Sequence, residues 1–297
     1  MIINSANLGI AFTGIQTIFR TAFDTTPTTY EKIVTVVPSS TKQELHAWLG
    51  KITKFREWVG DRVIQNLNAH GFTVVNKHFE NTIGINKDDF EDDTYGIYNP
   101  AIHQMGMDSR EHPDILVYNL LKAAASTKCY DGANLLDANH PSWDANGNPI
   151  MVANIDSGGS GPYWYLLCTK KAVKPILFQK RKDYQFIPRT RPDDPSVFDK
   201  NEFVFGVDAR VAAAPGMWQF IYASNQPLDV THFEAARTAM ASYRTENGDI
   251  MAALPDTLMV PSSLLGKANT LMKAQVINNT SNTWMGTCDV LEAPRLN

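Results

Sequence analysis

The stretch from Trp58 to Tyr98 constrains the possible fold more than any other part of the chain. It contains two β-rich runs, Phe72–Val75 and Thr82–Ile85, in which apolar and polar residues alternate. This pattern predicts two half-exposed strands that pair as an antiparallel hairpin. A two-stranded hairpin is only marginally stable alone in water, so it needs a further surface to cover it. We therefore expect the hairpin to lie on a neighbouring copy of the protein.

The composition is that of an ordinary globular protein. The 297 residues allow one large or two modest domains, and 43% of them are hydrophobic while 20% are charged. No apolar run approaches the roughly 20 residues that a membrane-spanning helix requires. The first residues, Met1-Ile2-Ile3-Asn4, lack the basic start of a secretory signal. The sequence therefore predicts no secretory signal and no membrane-spanning helix.

The cysteines and the net charge argue against further classes of protein. Cys129, Cys168 and Cys288 are far apart in the sequence, and no Cys-x-x-Cys pair occurs. An odd number of separated cysteines argues against a disulfide framework or a zinc site and favours reduced intracellular thiols. The net charge is -4, whereas a protein that binds nucleic acid through its phosphates is normally basic.

Helical periodicity begins near the N-terminus. Over residues 6–23, apolar residues recur at helical spacing and predict an amphipathic helix that ends at Asp24-Thr25-Thr26-Pro27. A short β-prone run, Ile33–Val37, follows and stops at Pro38. The helix and strand are predicted either to belong to the core of one domain or to form an arm that docks on a neighbouring subunit.

The middle of the chain predicts one principal helix and several strands. Apolar residues between positions 101 and 125 are typical of a helix, but Pro113 lacks a donor and clashes with the preceding turn. We therefore expect a principal helix from about Pro113 to Ala125, preceded by a shorter one. Strands are predicted at Tyr163–Cys168, Phe203–Val207 and Trp218–Tyr222.

The last part of the chain predicts a small α/β module that is distinct from the strand-rich middle. Thr231-His232-Phe233-Glu234 matches a capping box and predicts the start of a helix. A short buried strand at Leu258–Val260, a helix at about residues 263–274 and a final strand at Cys288–Leu291 are expected to follow.

Three groups of residues are candidates for catalysis or for binding a metal or a phosphate. Cys129, His140 and Asp144 are a nucleophile, a base and an orienting acid that lie near one another in the sequence. Catalytic triads are defined by geometry, however, so a buried thiol beside turns is the stronger interpretation. The histidines lack metal-ligand spacing, and the Gly-rich segment at residues 158–161 lacks the lysine of a phosphate-binding loop. We expect no catalytic residue, metal or cofactor.

Opposite charges are concentrated in two other segments. Asp88, Asp89, Glu91, Asp92 and Asp93 form an acidic cluster, which lacks the pattern of a calcium loop and is therefore expected to face solvent or a partner. The segment Lys170–Arg191 is basic and carries interleaved aromatic residues, which could follow a nucleic-acid backbone, although the net negative charge argues against this use. Our hypothesis is that the basic segment meets the acidic cluster of another subunit, because such pairs set register and orientation.

A series of short motifs resembles one known family. The motifs are, in order, Trp58-Val59-Gly60-Asp61-Arg62, Asn76-Lys77-His78-Phe79-Glu80, Asp89-Phe90-Glu91-Asp92-Asp93, Gly96-Ile97-Tyr98, Cys129-Tyr130-Asp131-Gly132, His140-Pro141, Lys174-Pro175, Gln179-Lys180-Arg181, Phe205-Gly206-Val207-Asp208-Ala209-Arg210, Trp218-Gln219, Leu258-Met259-Val260-Pro261 and Pro294-Arg295-Leu296. None is specific alone, but their order and spacing resemble the major head subunit of Mu-like tailed phages, the gene product T family. The resemblance extends over nearly all of the chain beyond residue 45.

The resemblance implies an α+β fold of the Hong Kong 97 type. It implies an N-terminal arm at residues 1–50 and an extended hairpin, the E-loop, at residues 51–98. A peripheral domain with a long spine helix at about residues 113–125 would occupy residues 99–228, and an axial domain would occupy residues 229–297. Strand-rich sequence separates the predicted spine helix from the axial module, so this last boundary depends on how the elements are arranged.

The implied function is assembly and not catalysis. Copies would form hexamers and pentamers of an icosahedral head that encloses double-stranded phage DNA without sequence-specific binding. The implied partners are a separate scaffold and protease and a portal, and it stays open whether a decoration protein binds. The subunit would assemble in the bacterial cytoplasm and reside in the virion. The expected inter-subunit contact residues are Trp58, Arg62, Lys77, Phe79, Glu80, Asp88, Asp89, Glu91, Asp92, Asp93, Lys180, Arg181, Lys182, Arg189 and Arg191.

Three alternatives differ in what they would require. A cellular nanocompartment shell of the same fold would need a pocket that docks cargo. A cytosolic hydrolase would use Cys129 as its nucleophile and would lose activity on replacement of Cys129 by Ser. A nucleic-acid-binding protein would bind DNA with an affinity that falls steeply as salt is added.

Overall fold

The computed structural model describes residues 5–46, 49, 71–93, 96–245, 248–277 and 279–297. Helices and strands are mixed along the chain. The helices are α1 (Ser5–Thr25), α2 (Tyr30–Ile33), α3 (Lys87–Asp92), α4 (Asn99–Lys122), α5 (Pro195–Lys200), α6 (Val230–Ser242) and α7 (Leu265–Lys273). The strands are β1 (Val34–Pro38), β2 (Gln43–His46), β3 (Phe72–Val75), β4 (Lys77–Asn86), β5 (His140–Trp143), β6 (Pro149–Val152), β7 (Ile155–Asp156), β8 (Trp164–Leu167), β9 (Ile176–Arg189), β10 (Glu202–Pro215), β11 (Ile221–Ser224), β12 (Thr257–Val260), β13 (Val276–Ile277), β14 (Thr280–Ser281) and β15 (Asp289–Glu292).

A four-stranded sheet with the order β1-β9-β10-β4 forms one half of the molecule. Its centre is the antiparallel pair β9 and β10, each of 14 residues. Strand β1 pairs in parallel with the start of β9, and β4 pairs antiparallel with β10 on the other side. The register of β9 and β10 shifts between Asp208 and Val211, where the ladder contains a bulge. Bulges of this kind bend a strand and increase its local twist.

Helices α1 and α4 cover one face of this sheet. Along β10, alternate residues from Phe203 to Val211 are buried, as expected for a strand with one face in the core. Phe12 of α1 packs edge-on against Phe203 at 5.2 Å, and Phe19 stacks on Phe186 at 4.7 Å. Gly106 of α4 lets the two helices approach closely, because a Cβ at this position would lie 2.6 Å from the carbonyl oxygen of Phe19.

The position of α1 decides between the two interpretations left open by the sequence. The apolar stripe that predicted the helix packs on the sheet and on α4 of its own chain, with Ile15 and Phe19 buried. The predicted β-prone run is β1 and belongs to the four-stranded sheet. In the described residues of the segment predicted as an arm, 1–50, the helix and strand are therefore core elements of the subunit. The aromatic side chains of β9 and β10 supply the apolar surface that the helix needs.

The predicted hairpin is wrong in its pairing, although both strands exist. Strand β3 pairs with β2 in a separate two-stranded ladder, and β4, which includes the predicted run Thr82–Ile85, pairs with β10. Only Asn76 separates β3 from β4, whereas the shortest common hairpin connection needs two residues. The chain therefore passes directly from the β2–β3 ladder into the four-stranded sheet.

The principal helix is longer than predicted. Helix α4 runs without interruption from Asn99 to Lys122, with Pro113 inside it. A proline inside a helix removes one hydrogen bond, here to the carbonyl of Ser109, and costs about 3 kcal/mol. Packing on both sides compensates, because Ile102 and Met105 before the proline and Val117, Tyr118 and Leu121 after it are buried.

A five-stranded sheet with the order β15-β12-β8-β11-β7 forms the second half. Strands β8 and β12 are buried along their whole length. The sheet joins strands from both sides of the predicted domain boundary at residues 228 and 229, so the C-terminal elements are not a separate module. Helix α6 begins near the predicted position, but its N-cap is Asp229, whose side chain accepts a hydrogen bond from the backbone of His232, and not Thr231. No helix in the described ranges is long and apolar enough to cross a membrane.

We predict that Phe19 is essential for docking α1 on the sheet. Phe19→Ala should lower the free energy of unfolding of the unassembled subunit by about 3–5 kcal/mol, because it leaves a cavity among packed aromatic rings. Urea denaturation measures this difference. Ile10→Ala on the same helix is the matched control, because Ile10 is 71% exposed, and it should change stability by no more than about 0.5 kcal/mol. Equal effects of the two substitutions would contradict this docking.

Candidate assembly interface

The acidic cluster lies on a short helix at the end of the four-stranded sheet. The side chain of Asn86 caps α3 by accepting a hydrogen bond from the backbone of Asp88 at 2.9 Å. The carboxylate of Asp88 also accepts one from the side chain of Asn201 at 2.9 Å, which attaches the helix to the start of β10. Asp88, Asp89 and Asp92 are exposed, whereas Glu91 is largely buried with Lys87 at 3.9 Å. The cluster therefore presents several carboxylates to solvent from a fixed backbone.

Carboxylates of the same chain already pair with several residues of the basic segment. The ammonium groups of Lys180 and Lys182 lie 2.9 Å and 2.7 Å from Asp183 and Asp208, and Arg189 lies 3.5 Å from Asp194. The pKa of Asp208 is lowered, first by its hydrogen bond with Lys182. Arg189 and Arg191 stay exposed at the end of β9. Exposed ion pairs of this kind contribute little to stability, and they make the segment less uniformly basic than its sequence indicates.

The two charged segments reach the same end of the sheet on opposite sides of β10. Val204 of β10 lies opposite Arg189 on one side and opposite Gly84 on the other. The acidic helix α3 follows the end of β4, close to Gly84 in the chain. This end of the subunit therefore carries a basic and an acidic patch separated by one strand.

The remaining predicted contact residues are spread along the start of β4. Trp58 and Arg62 lie outside the described residues. Lys77 and Glu80 are exposed, and Glu80 accepts a hydrogen bond from Thr82 at 2.6 Å. Phe79 is half-buried and packs edge-on against His112 of α4 at 4.4 Å. These residues therefore belong to the exposed edge strand of the sheet and do not lie beside the acidic cluster.

Sequence reasoning missed an exposed aromatic residue and a groove. Phe198 is 81% exposed on α5, which connects β9 to β10. The sequence could have indicated this exposure, because Phe198 lies in a polar segment that contains two prolines. A groove of about 510 Å³ lies between β3, the C-terminal half of α4 and the end of β10. Its walls include Phe72, Phe79 and Leu120, so the groove is largely apolar.

The triad hypothesis fails on geometry. His140 is completely buried, and its Nδ1 lies 2.7 Å from the carboxylate of Asp131, not Asp144. Its ring stacks on Trp218 with centroids 4.0 Å apart. Asp144 instead accepts hydrogen bonds from the backbone of Asn146 and Asn148 in the turn between β5 and β6. The buried thiol of Cys129 contacts the carbonyl of Gly216 at 3.7 Å.

Burial also makes the cysteines poor nucleophiles. Desolvation raises the pKa of Cys129 well above its ordinary value, and it raises the pKa of Cys168 and of Cys288 to about 11. The thiolate is the reactive form of cysteine. Across the described part of the chain, no group of three or more His, Cys, Asp and Glu side chains is arranged to hold a metal ion.

We predict that the cysteines are unreactive in the folded subunit. At pH 8 a raised pKa leaves almost no thiolate, so a disulfide reagent such as DTNB should label the native protein very slowly. In guanidinium chloride all three cysteines should react within minutes. The absorbance of the released thiolate measures both rates. A native thiol that reacts as fast as free cysteine would contradict the buried arrangement and would reopen the hydrolase alternative.

Comparison with known proteins agrees with the motif pattern. The family model described as "Mu-like prophage major head subunit gpT" matches residues 8–296. The chain is 37% identical to the major capsid protein of Escherichia phage Mu over 288 residues, which cover 95% of this chain and 94% of that protein. It is 34% identical to the Mu-like prophage FluMu major head subunit of Haemophilus influenzae over 271 residues, which cover 89% of this chain and 88% of that protein.

Solved structures of a phage capsid share the whole fold. A chain from the procapsid of bacteriophage JBD30 superposes with a TM-score of 0.85 at 35% identity, covering 99% of this chain and 100% of that one. A chain from the JBD30 capsid decorated with minor capsid protein trimers superposes with a TM-score of 0.78 at 29% identity, covering 94% and 93%. The fold is therefore the α+β fold of Hong Kong 97-type capsid proteins. The chain belongs to the Mu-like prophage major head subunit gpT family and is a phage capsid subunit.

Proposed function

We propose that copies of this chain assemble into hexamers and pentamers that tile an icosahedral head around double-stranded DNA. The observation that carries this proposal is the superposition of 99% of the chain on a procapsid subunit. In a heterologous contact, each subunit presents one patch to its neighbour and receives a different patch in return. Such contacts form a closed ring when the rotation from one subunit to the next adds up to a full turn. The basic and acidic patches on opposite sides of β10 supply two such different surfaces.

The observed sheets support a revised division into domains. The peripheral domain consists of the four-stranded sheet with α1 and α4, and α4 is its spine helix. The axial domain consists of the five-stranded sheet with α6 and α7, and it is contributed by segments before and after β9 and β10. Residues 51–70 of the predicted extended hairpin lie outside the described residues, and β2 and β3 pair on either side of them. This division replaces boundaries at residues 50, 98 and 228, because sheet pairing crosses each of them.

The charges of the subunit favour a contact between copies over a contact with DNA. The net charge is -4, and several basic side chains of residues 170–191 already pair with carboxylates of their own chain. A protein that grips DNA needs unpaired cations along the phosphate backbone. The exposed carboxylates of α3 therefore meet the exposed arginines at the end of β9 in another subunit, and the packaged DNA is enclosed without sequence-specific contacts.

A subunit of a phage shell needs partner proteins during assembly. The subunit assembles in the host cytoplasm with a scaffold and a protease and meets a portal at one vertex. Minor capsid protein trimers decorate the capsid of JBD30, and a comparable decoration protein binds this shell. A hydrolase function is disfavoured, because Cys129 and His140 are buried and the relatives are capsid proteins.

Assembly tests this function directly. Purified subunit, with and without a candidate scaffold, is analysed by size-exclusion chromatography and negative-stain electron microscopy. We expect rings, tubes or closed shells built of repeating capsomers. A monomer or dimer under every condition, including high protein concentration and added scaffold, would contradict the proposal.

Charge reversal tests the proposed contact between copies. Asp89→Lys combined with Asp92→Lys places cations on the exposed side of α3 and should weaken assembly by repulsion from Arg189 and Arg191. The loss should be greatest at low salt, where screening is weakest. Light scattering during assembly between 50 mM and 500 mM salt measures it. Asp24→Lys, an equally exposed change at the end of α1, is the control, and equal behaviour of the two proteins would exclude the contact.

A further inference from the structure

A buried glutamine joins the β2–β3 ladder to the four-stranded sheet. We call the β2–β3 ladder, Gln43–His46 paired with Phe72–Val75, the arm base. Gln179 lies in β9 between β1 and β10 and is completely buried. Its side-chain amide nitrogen donates to the carbonyl of Val74 at 3.1 Å and to the side-chain oxygen of Asn76 at 3.0 Å. One side chain of the central sheet therefore holds β3 and the residue that follows it.

The same glutamine also holds β2. Its side-chain oxygen lies 2.9 Å from Nε2 of His46. Because both contacts of the amide nitrogen are acceptor oxygens, the orientation of the amide is determined. The oxygen must therefore face His46, whose Nε2 carries the proton and donates. Gln179 thus bonds to both strands of the arm base and to Asn76, the residue that follows β3.

Further hydrogen bonds connect this junction to the loop after β1. Asn76 donates through its side chain to Oγ of Ser39 at 2.8 Å and to the carbonyl of Thr41 at 3.0 Å. One carboxylate oxygen of Glu44 in β2 accepts from the backbone of Ser40 and of Thr41. These bonds, with one from Ser39, lower the pKa of Glu44 to about 2, so it stays charged at neutral pH. The loop therefore maintains the position of Asn76 beside Gln179.

We propose that Gln179 is a positioning residue that sets the angle at which the arm base leaves the subunit. Val74 also packs into the core, but apolar packing is non-directional, whereas hydrogen bonds require a defined direction. Packing therefore attaches the arm base, and Gln179 orients it. In an assembled shell this orientation determines how the arm base faces a second copy, and this last step rests on the proposed function.

Distance measurement on the unassembled subunit tests the positioning role. Spin labels are attached at Thr73→Cys in the arm base and Thr82→Cys in β4, both exposed, and pulsed electron paramagnetic resonance gives the distance distribution. Gln179→Met keeps the length of the side chain but removes its three polar contacts. We expect a narrow distribution in the parent protein and a broadened or shifted one in this variant. Gln185→Met, on an exposed position of the same strand, is the control and should keep the narrow distribution.

Hydrogen exchange separates positioning from general stability. In Gln179→Met, amides of the arm base should exchange about tenfold faster or more, because buried polar groups lose their partners. Amides of β4 and β10 should exchange at the parent rate. Unchanged distances, or equally accelerated exchange throughout the subunit, would overturn the inference. If Gln179→Met does not fold, Gln179→Glu replaces it, because a carboxylate keeps the acceptor for His46 but loses both donors.

The assembly readout distinguishes this inference from the proposed function. If the parent protein forms no capsomers, the proposed function fails, yet the distances still decide whether Gln179 positions the arm base. If the parent assembles, Gln179→Met should yield particles of broader size distribution than Gln185→Met, because the arm base would lie at a different angle in different subunits. Particles of unchanged size despite a broadened distance distribution would contradict the link to assembly.

Discussion

The antiparallel ladder between β9 and β10 is the interaction on which the other parts of this subunit depend. Strand β1 pairs with one side of it and β4 with the other. Helices α1 and α4 cover its apolar face, and α3 and α5 lie at its far end. Gln179, near its beginning, holds the arm base. The five-stranded sheet takes strands from before β9 and from after β10, so this ladder also lies between the chain segments that build the second sheet.

The charge distribution fits a protein that binds copies of itself. Lys180, Lys182 and Arg189 of the basic segment each have a carboxylate of their own chain nearby, which makes the surface offered to DNA phosphates less uniformly positive. Exposed carboxylates on α3 and exposed arginines at the end of β9 occupy opposite sides of one strand. Such complementary patches make the contacts of a shell specific, because a wrong register would bring like charges together. Binding to the enclosed DNA would give the shell no comparable advantage.

Local sequence patterns predicted several helices and strands correctly, but they did not predict what these elements pack against. The apolar stripe of α1 predicted a helix, but only the aromatic residues of β9 and β10 decided that it packs on its own chain. Pro113 was expected to begin a helix, yet packing on both sides keeps α4 continuous. Thr231 matched a capping pattern, while Asp229, two residues earlier, makes the cap. At Pro113 tertiary packing outweighed a local cost of about 3 kcal/mol, whereas the cap of α6 was a choice between two residues that are both local to the helix start.

The sequence by itself determined the family, the capsid fold and the positions of most helices and strands. Ordered motifs and periodicity are local properties that one chain displays directly. Only the tertiary structure decided which strands pair, because β1 joins β9 and β4 joins β10 across more than a hundred residues, and no local pattern specifies a partner at that distance. The same limit applies to the site: the sequence located the charged segments, whereas folding placed them on opposite sides of β10 and brought Gln179 to the arm base.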